Sequence, residues 1–208
     1  MTRRGRQFRV WCDAAWRASD GVWALAYTIW ENELRIRSKA LAGFGLGLHD
    51  SNACELAACA ASLKGLLELA GDGSNAIEAV TVHSDNLVVG NVLVEPYRQK
   101  QRIRKRSQGF AIALETIRSF VREFPGVLRV AHVRAHQRPG LSEQTDRNRE
   151  VDDYATKASK RLLALMPPGP WSEELRSMSV RDPSFGGTIR DGKVHLMDIS
   201  HVVSTIKE

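Results

Sequence analysis

A chain of 208 residues accommodates one domain of ordinary size plus an appendage. With 43% hydrophobic and 26% charged residues it has the composition of a soluble globular protein, and no apolar run approaches membrane-spanning length. The net charge of +6 and a pI of about 9.5 favour polyanionic partners.

The cysteines Cys12, Cys54 and Cys59 are few, odd in number and set inside predicted core elements. That pattern argues for reduced thiols in a cytoplasmic setting and against a disulfide frame. Cys54 and Cys59 lack the spacing of a zinc knuckle. No Gly-rich phosphate loop is present, which disfavours a small-molecule nucleotide enzyme.

Phe8 to Ala15 reads as a buried strand, Val22 to Glu31 as a second and Leu34 to Phe44 as a third, joined by short connections as an antiparallel meander. Asp50 to Ala70 is predicted as a long helix, capped by Ser51 or Asn52, with Leu56, Ala60, Leu63 and Leu67 on one face. After the loop 71–75 comes a fourth strand, Ala79 to Ser84, then a short helix, Asn86 to Glu95, halted near Pro96. Arg98 to Arg106 holds six cations and no acid. Phe110 to Phe124 follows as a helix, Leu128 to Ala135 as a fifth strand, His136 to Arg147 as a polar loop and Arg149 to Leu165 as the last long helix. Pro167-Pro168-Gly169-Pro170 then breaks the chain. Within the tail, Asp191-Gly192 is a type I′ turn signal for a hairpin near 188–197. The expected division is a catalytic domain over 1–166 and an extension over 167–208.

Four carboxylates stand out in this order of elements. Asp13 and Asp85 close strand-like runs, Glu55 sits early in the first long helix and Asp152 early in the last. Ligands of open α/β sheets bind beyond the carboxyl ends of the strands, and all four can reach one such edge. Clustered carboxylates repel and raise each other's pKa values, so they stay ionised together only beside cations. Oxygen ligands select Mg²⁺ or Mn²⁺, and two such ions can clamp an in-line phosphoryl displacement.

These residues resemble the type 1 ribonuclease H family, which cuts the RNA strand of RNA–DNA hybrids. Asp13 matches the catalytic Asp of the family's first strand, Glu55-Leu56-Ala57-Ala58 its first helix and Ser84-Asp85 the end of its fourth strand. Asn148, Val151, Asp152 and Ala155 match the spacing in its last helix, which favours Asp152 over Asp153 as the fourth ligand.

The resemblance covers about residues 7 to 165. It implies a ribonuclease H-like α/β fold, with a five-stranded mixed sheet, strands 1–3 antiparallel, strands 4 and 5 parallel to strand 1, and helices on both faces. It implies a two-metal endonuclease using Mg²⁺, or Mn²⁺, that leaves a 5′-phosphate and a 3′-hydroxyl. It also implies that His136 assists proton transfer and product release. Ser51, Asn52 and Asn86 fall where the family contacts nucleic acid. Arg98, Lys100, Arg102, Arg104, Lys105 and Arg106 fall where many members carry a basic handle on the DNA strand.

The family often has Thr-Asn where Asp50-Ser51-Asn52 stands here, and Asp50 would repel phosphate. The resemblance implies RNA–DNA hybrid as the partner class, with duplex RNA as a further candidate substrate. The alternatives are another nuclease, or a non-catalytic nucleic-acid-binding module, on the same fold.

Overall fold

A computed structural model describes residues 5–71, 77–96, 108–134, 137–166, 186–190 and 193–196. The elements run β1 (Arg6–Arg17), β2 (Val22–Glu31), β3 (Leu34–Gly45), α1 (Ser51–Ala70), β4 (Ile77–Ser84), α2 (Leu87–Val94), α3 (Gln108–Glu123), β5 (Val127–His132), α4 (Glu143–Leu165), β6 (Gly186–Arg190) and β7 (Lys193–Leu196). They build one mixed sheet in the order β5-β4-β1-β2-β3-β6-β7. β1, β2 and β3 pair antiparallel, while β4 lies parallel to β1 and β5 parallel to β4. This is the expected ribonuclease H-like arrangement, with the five-stranded sheet extended to seven by β6 and β7.

The extension depends on close backbone contact at the β3 edge. β6 pairs antiparallel with Phe44 and Gly45, and the Thr188 hydroxyl donates to the Ala42 carbonyl at 2.8 Å. A Cβ on Gly43 would come within 2.5 Å of both the Gly187 carbonyl oxygen and the Trp23 ring, so only glycine fits there.

Helices cover both faces of the sheet. On one side α1 and α3 pack over Val10, Cys12, Leu25, Tyr27, Val80 and Val82 in the main core. α1 is rich in alanine, the strongest helix former, and its small side chains let it approach the strands closely. On the other side α4 packs Val151, Ala155 and Leu162 on a smaller core with Trp11, Val22, Ala24 and Phe44. All three cysteines are buried free thiols. Among the described residues no helix is long and apolar enough to cross a membrane.

Three local expectations are corrected. α1 is capped by Asp50, not by Ser51 or Asn52. The Asp50 carboxylate accepts from the Ala53 N–H at 2.8 Å, which occupies one of the unpaired donors of the first turn. α4 starts at Glu143, six residues before the expected Arg149, because Ser142 caps it by accepting from the Thr145 N–H. Asp152 therefore lies more than two turns into the helix. β1 continues past Asp13 to Arg17 through its pairing with β2, whereas its pairing with β4 ends at Trp11–His83.

Candidate active site

The site is built where β1 and β4 part. Their parallel register pairs Trp11 with His83, so Asp13 and Asp85 each lie two residues past that last pair, on neighbouring strands. β4 stops at Ser84 because Asn86 turns the chain into α2, accepting at its side-chain oxygen from the Val88 and Val89 N–H groups. The Ser84 hydroxyl accepts from the Asn86 N–H at 3.1 Å and tightens the turn that presents Asp85. Glu55 comes from the buried face of α1, which packs on β1.

Carboxylate oxygens of Asp13, Glu55 and Asp85 all lie within 4.8 Å of one another. They form the floor of a cleft of about 480 Å³, whose walls include Asn148, Arg149, Asp152 and Asp153 of α4, and Arg134 and Gln137 beyond β5. Asp13 and Glu55 are buried, and Asp85 is half-buried.

Burial and the charge of Asp85 raise the Asp13 carboxyl to about 7, with a further push from Asp152; the Ala14 N–H, donating to Asp13 at 2.7 Å, opposes the rise. Burial, then the charges of Asp13 and Asp85, hold Glu55 well above the usual carboxylate range. One oxygen of Glu55, Oε2, is buried with no hydrogen-bond partner.

These three carboxylates could hold a cation. Asp13 and Glu55 crowd beside Asp85 in low dielectric, and burial with the neighbouring negative charge makes Asp13 and Glu55 harder to deprotonate until positive charge is supplied. The donor set is all carboxylate oxygen, which suits Mg²⁺ or Mn²⁺, and the orphaned Glu55 oxygen gains a partner when a cation arrives.

Asp152 lines the same cleft, and its charge is felt at Asp13. Asp153 is the more exposed neighbour and lies 4.0 Å from the Lys157 ammonium. Asp152 is thus the acid of the pair that faces the cluster. Asn148, which sequence reasoning used only as a spacing marker, donates from Nδ2 toward Asp85 Oδ2 at 3.5 Å, and its own Oδ1 is buried without a partner. Arg134, Gln137 and Arg149 were also missed as cleft residues; Arg149 stands one turn before Asp152, a spacing that could have flagged it.

The expected nucleic-acid contacts divide. Asn86 donates from Nδ2 to Asn52 Oδ1 at 3.2 Å, joining the start of α1 to the start of α2. Ser51 is exposed beside them. His136 and the basic residues Arg98, Lys100, Arg102, Arg104, Lys105 and Arg106 lie outside the described residues.

No protein-family model and no curated protein matches this chain. Solved structures do. LC11-RNase H1, isolated from compost by a metagenomic approach, is 18% identical over 76% of this chain and 98% of its own, with a TM-score of 0.56. The same protein in complex with an RNA/DNA hybrid aligns with 16% identity over 75% of this chain and 99% of its own, at a TM-score of 0.54. RNase H1 from the halophilic archaeon Halobacterium salinarum is 15% identical over 74% of this chain and 98% of its own, with a TM-score of 0.52. Identities of this size speak to architecture, and by that measure the chain has the ribonuclease H-like fold.

Proposed function

We propose that this protein is a metal-dependent endonuclease that hydrolyses the RNA strand of RNA–DNA hybrids. The observation that carries the reading is the convergence of Asp13, Glu55 and Asp85 within 4.8 Å at the floor of a cleft walled by Asp152. Support also comes from the fold shared with LC11-RNase H1, whose structure was solved with an RNA/DNA hybrid.

In this reading Asp13, Glu55, Asp85 and Asp152 hold two divalent cations, Mg²⁺ or Mn²⁺. Bound there, the ions supply an activated water and neutralise charge on the phosphoryl oxygens. The remaining work belongs to the chain. The Ala14 N–H fixes Asp13, and Asn148 steadies Asp85. The water oxygen bonds to phosphorus and the bond to the 3′-oxygen breaks, leaving a 5′-phosphate and a 3′-hydroxyl. His136 exchanges the proton that the departing 3′-oxygen needs; an imidazole does this near neutral pH. The Asn52–Asn86 pair and Ser51 meet the minor groove, where 2′-hydroxyls distinguish RNA from DNA. The basic run from Arg98 to Arg106 holds phosphates of the DNA strand and makes binding salt-dependent.

The test is a Mg²⁺-dependent assay on labelled hybrid, duplex RNA and duplex DNA. The expected result is cleavage of the hybrid's RNA strand, lost on chelation. Asp85→Asn should lower the rate at least about 100-fold while the variant still binds hybrid. Hybrid cleavage by Asp85→Asn at the wild-type rate would refute the metal site. Binding without cleavage by the wild type would leave a nucleic-acid-binding module.

A further inference from the structure

Two arginines in the acidic cleft have no role in the reading above. Arg134 lies just past β5 and Arg149 in the second turn of α4, and both line the cleft with the carboxylates. Both are exposed. Several other arginines are tied down: Arg6 to Glu31, Arg37 to Glu68, Arg35 to Glu150, and Arg147 to Glu33 and Glu143; Arg129, Arg138 and Arg161 are unengaged among the described residues too, but they do not line the cleft. Among the described residues, no ion pair or hydrogen bond engages the side chain of Arg134 or Arg149, although five carboxylates line the same cleft.

Cations take up the charge of the inner carboxylates once the site is loaded. The two guanidinium groups are then surplus positive charge facing a ligand that must be anionic. A guanidinium presents its donors as a planar fork that matches phosphate oxygens two at a time. Their placement also separates them from the reacting phosphate. Arg149 precedes Asp152 by three residues, so its backbone is offset by about 4.5 Å along the helix axis. That offset is on the scale of the step between consecutive nucleotides of one strand, which makes a flanking phosphate the group these side chains would meet.

We infer that Arg134 and Arg149 clamp a phosphate of the cleaved strand adjacent to the scissile one, so the substrate must carry at least two consecutive phosphodiesters on that strand. The inference rests on the phosphodiesterase reading of the cleft. The clamp contributes register: it fixes which phosphodiester lies over the carboxylates. A neutral group at the clamped position should therefore reduce turnover even when the scissile phosphate is intact.

The experiment uses the full chain with Mg²⁺ and hybrids in which single RNA phosphates near one cleavage position are replaced by neutral methylphosphonates. One flanking replacement should lower wild-type kcat/KM about tenfold or more, the scale of a lost charge-assisted hydrogen bond. Arg149→Ala and Arg134→Ala should each lose a similar factor on the unmodified hybrid and become insensitive to that same replacement. Arg149→Lys should recover part of the loss. Lys64→Ala, which removes a cation beside the groove between α1 and α3, should keep the wild-type pattern.

A second readout does not need turnover. Anisotropy of labelled hybrid with Ca²⁺ in place of Mg²⁺, which neutralises the carboxylates without supporting rapid cleavage, should give, followed against NaCl, a log–log slope shallower by about one for each arginine removed. Variants that keep both the wild-type methylphosphonate sensitivity and the wild-type slope would overturn the clamp. If the wild type cuts no hybrid, the nuclease reading fails, and the slope alone decides: shallower slopes keep the phosphate clamp, unchanged slopes overturn it. Thermal melting of each variant establishes that it is folded.

Discussion

The two faces of the sheet are held by different physics. Under α1 and α3 the interface is a broad apolar core filled by aliphatic, aromatic and small side chains. Under α4 the core is smaller, and its N-terminal end is fastened by charge over aromatic rings. There the Arg147 guanidinium carbon lies 3.6 Å from the Trp30 ring centroid and 4.9 Å from that of Trp11. Trp11 in turn stacks on His83, with centroids 4.1 Å apart and planes within 5°. Arg147 also pairs with Glu33, at 3.0 Å, and with Glu143. Burial, then the neighbouring charges of Arg9 and Arg147, lower His83 to about 4, so the ring is neutral in the stack near pH 7.

The difference has a functional side. Glu55 is delivered by the helix with the larger apolar anchorage. Asn148 and Asp152 are delivered by the helix whose first turns depend on one buried cation. Stability and site geometry should therefore be separable by mutation. A change under α1 acts mainly on folding, while a change at the foot of α4 acts mainly on the cleft.

The largest effect on stability is expected from Leu63→Ala in the α1 core, where the side chain is fully buried. The loss should be about 2–5 kcal/mol, read as a lower midpoint in urea, with kcat for the proposed hybrid cleavage little changed. Arg147→Ala should cost less, about 1–3 kcal/mol, because cation–π stacking and part-exposed ion pairs are individually modest. Its kcat should nevertheless fall further than that of Leu63→Ala. Equal kcat losses in the two variants would erase the contrast between the faces.

Acid–base behaviour sharpens the comparison at the site itself. Asp13 has a folded pKa of about 7 against an ordinary 3.8, so the folded state holds its proton more tightly than the unfolded state. Its charged form penalises folding; that penalty is absent below about pH 4, grows through the window and is complete above about pH 7. In metal-free protein Asp13→Asn should raise the melting temperature by a few degrees at pH 8 and leave it nearly unchanged at pH 4. With Mg²⁺ present the sign at pH 8 should reverse, because the wild type gains a cation that the variant holds poorly. A wild-type melting temperature at pH 8 that Mg²⁺ does not raise would count against the cation site. The smallest effect is expected from Ser142→Ala, which removes the α4 cap and should cost about 1 kcal/mol in a denaturant titration.

Much of the fold was legible because its elements follow strong local signals. Val22 to Glu31 and Val80 to Ser84 are rich in β-branched and aromatic residues, and α1 combines helix formers with an apolar face. Asp13 and Asp85 stood out because each closes an apolar, strand-like run, and Glu55 because it falls in the first turns of a clear helical pattern. The start of α4 was not. Residues Glu143 to Arg149 are wholly polar, and the side chain that docks them is an arginine on tryptophans, which leaves no apolar periodicity to read. The Asp50 cap was missed for a related reason: three candidate capping residues are consecutive, and only the approach of the chain from β3 decides which one reaches the Ala53 N–H. Asn148 was hidden because its partner, Asp85, lies across the fold.

The β6–β7 ribbon has a practical meaning for anyone trimming this protein. A fragment stopping at residue 166 would bare the outer rim of β3, including the Ala42 carbonyl now covered by Thr188 and the main-chain groups of Phe44 and Gly45. Unsatisfied strand rims invite sheet-to-sheet self-association. Clumping of such a fragment would report a lost chaperoning of the sheet by its own C-terminal end, independent of any damage to catalysis.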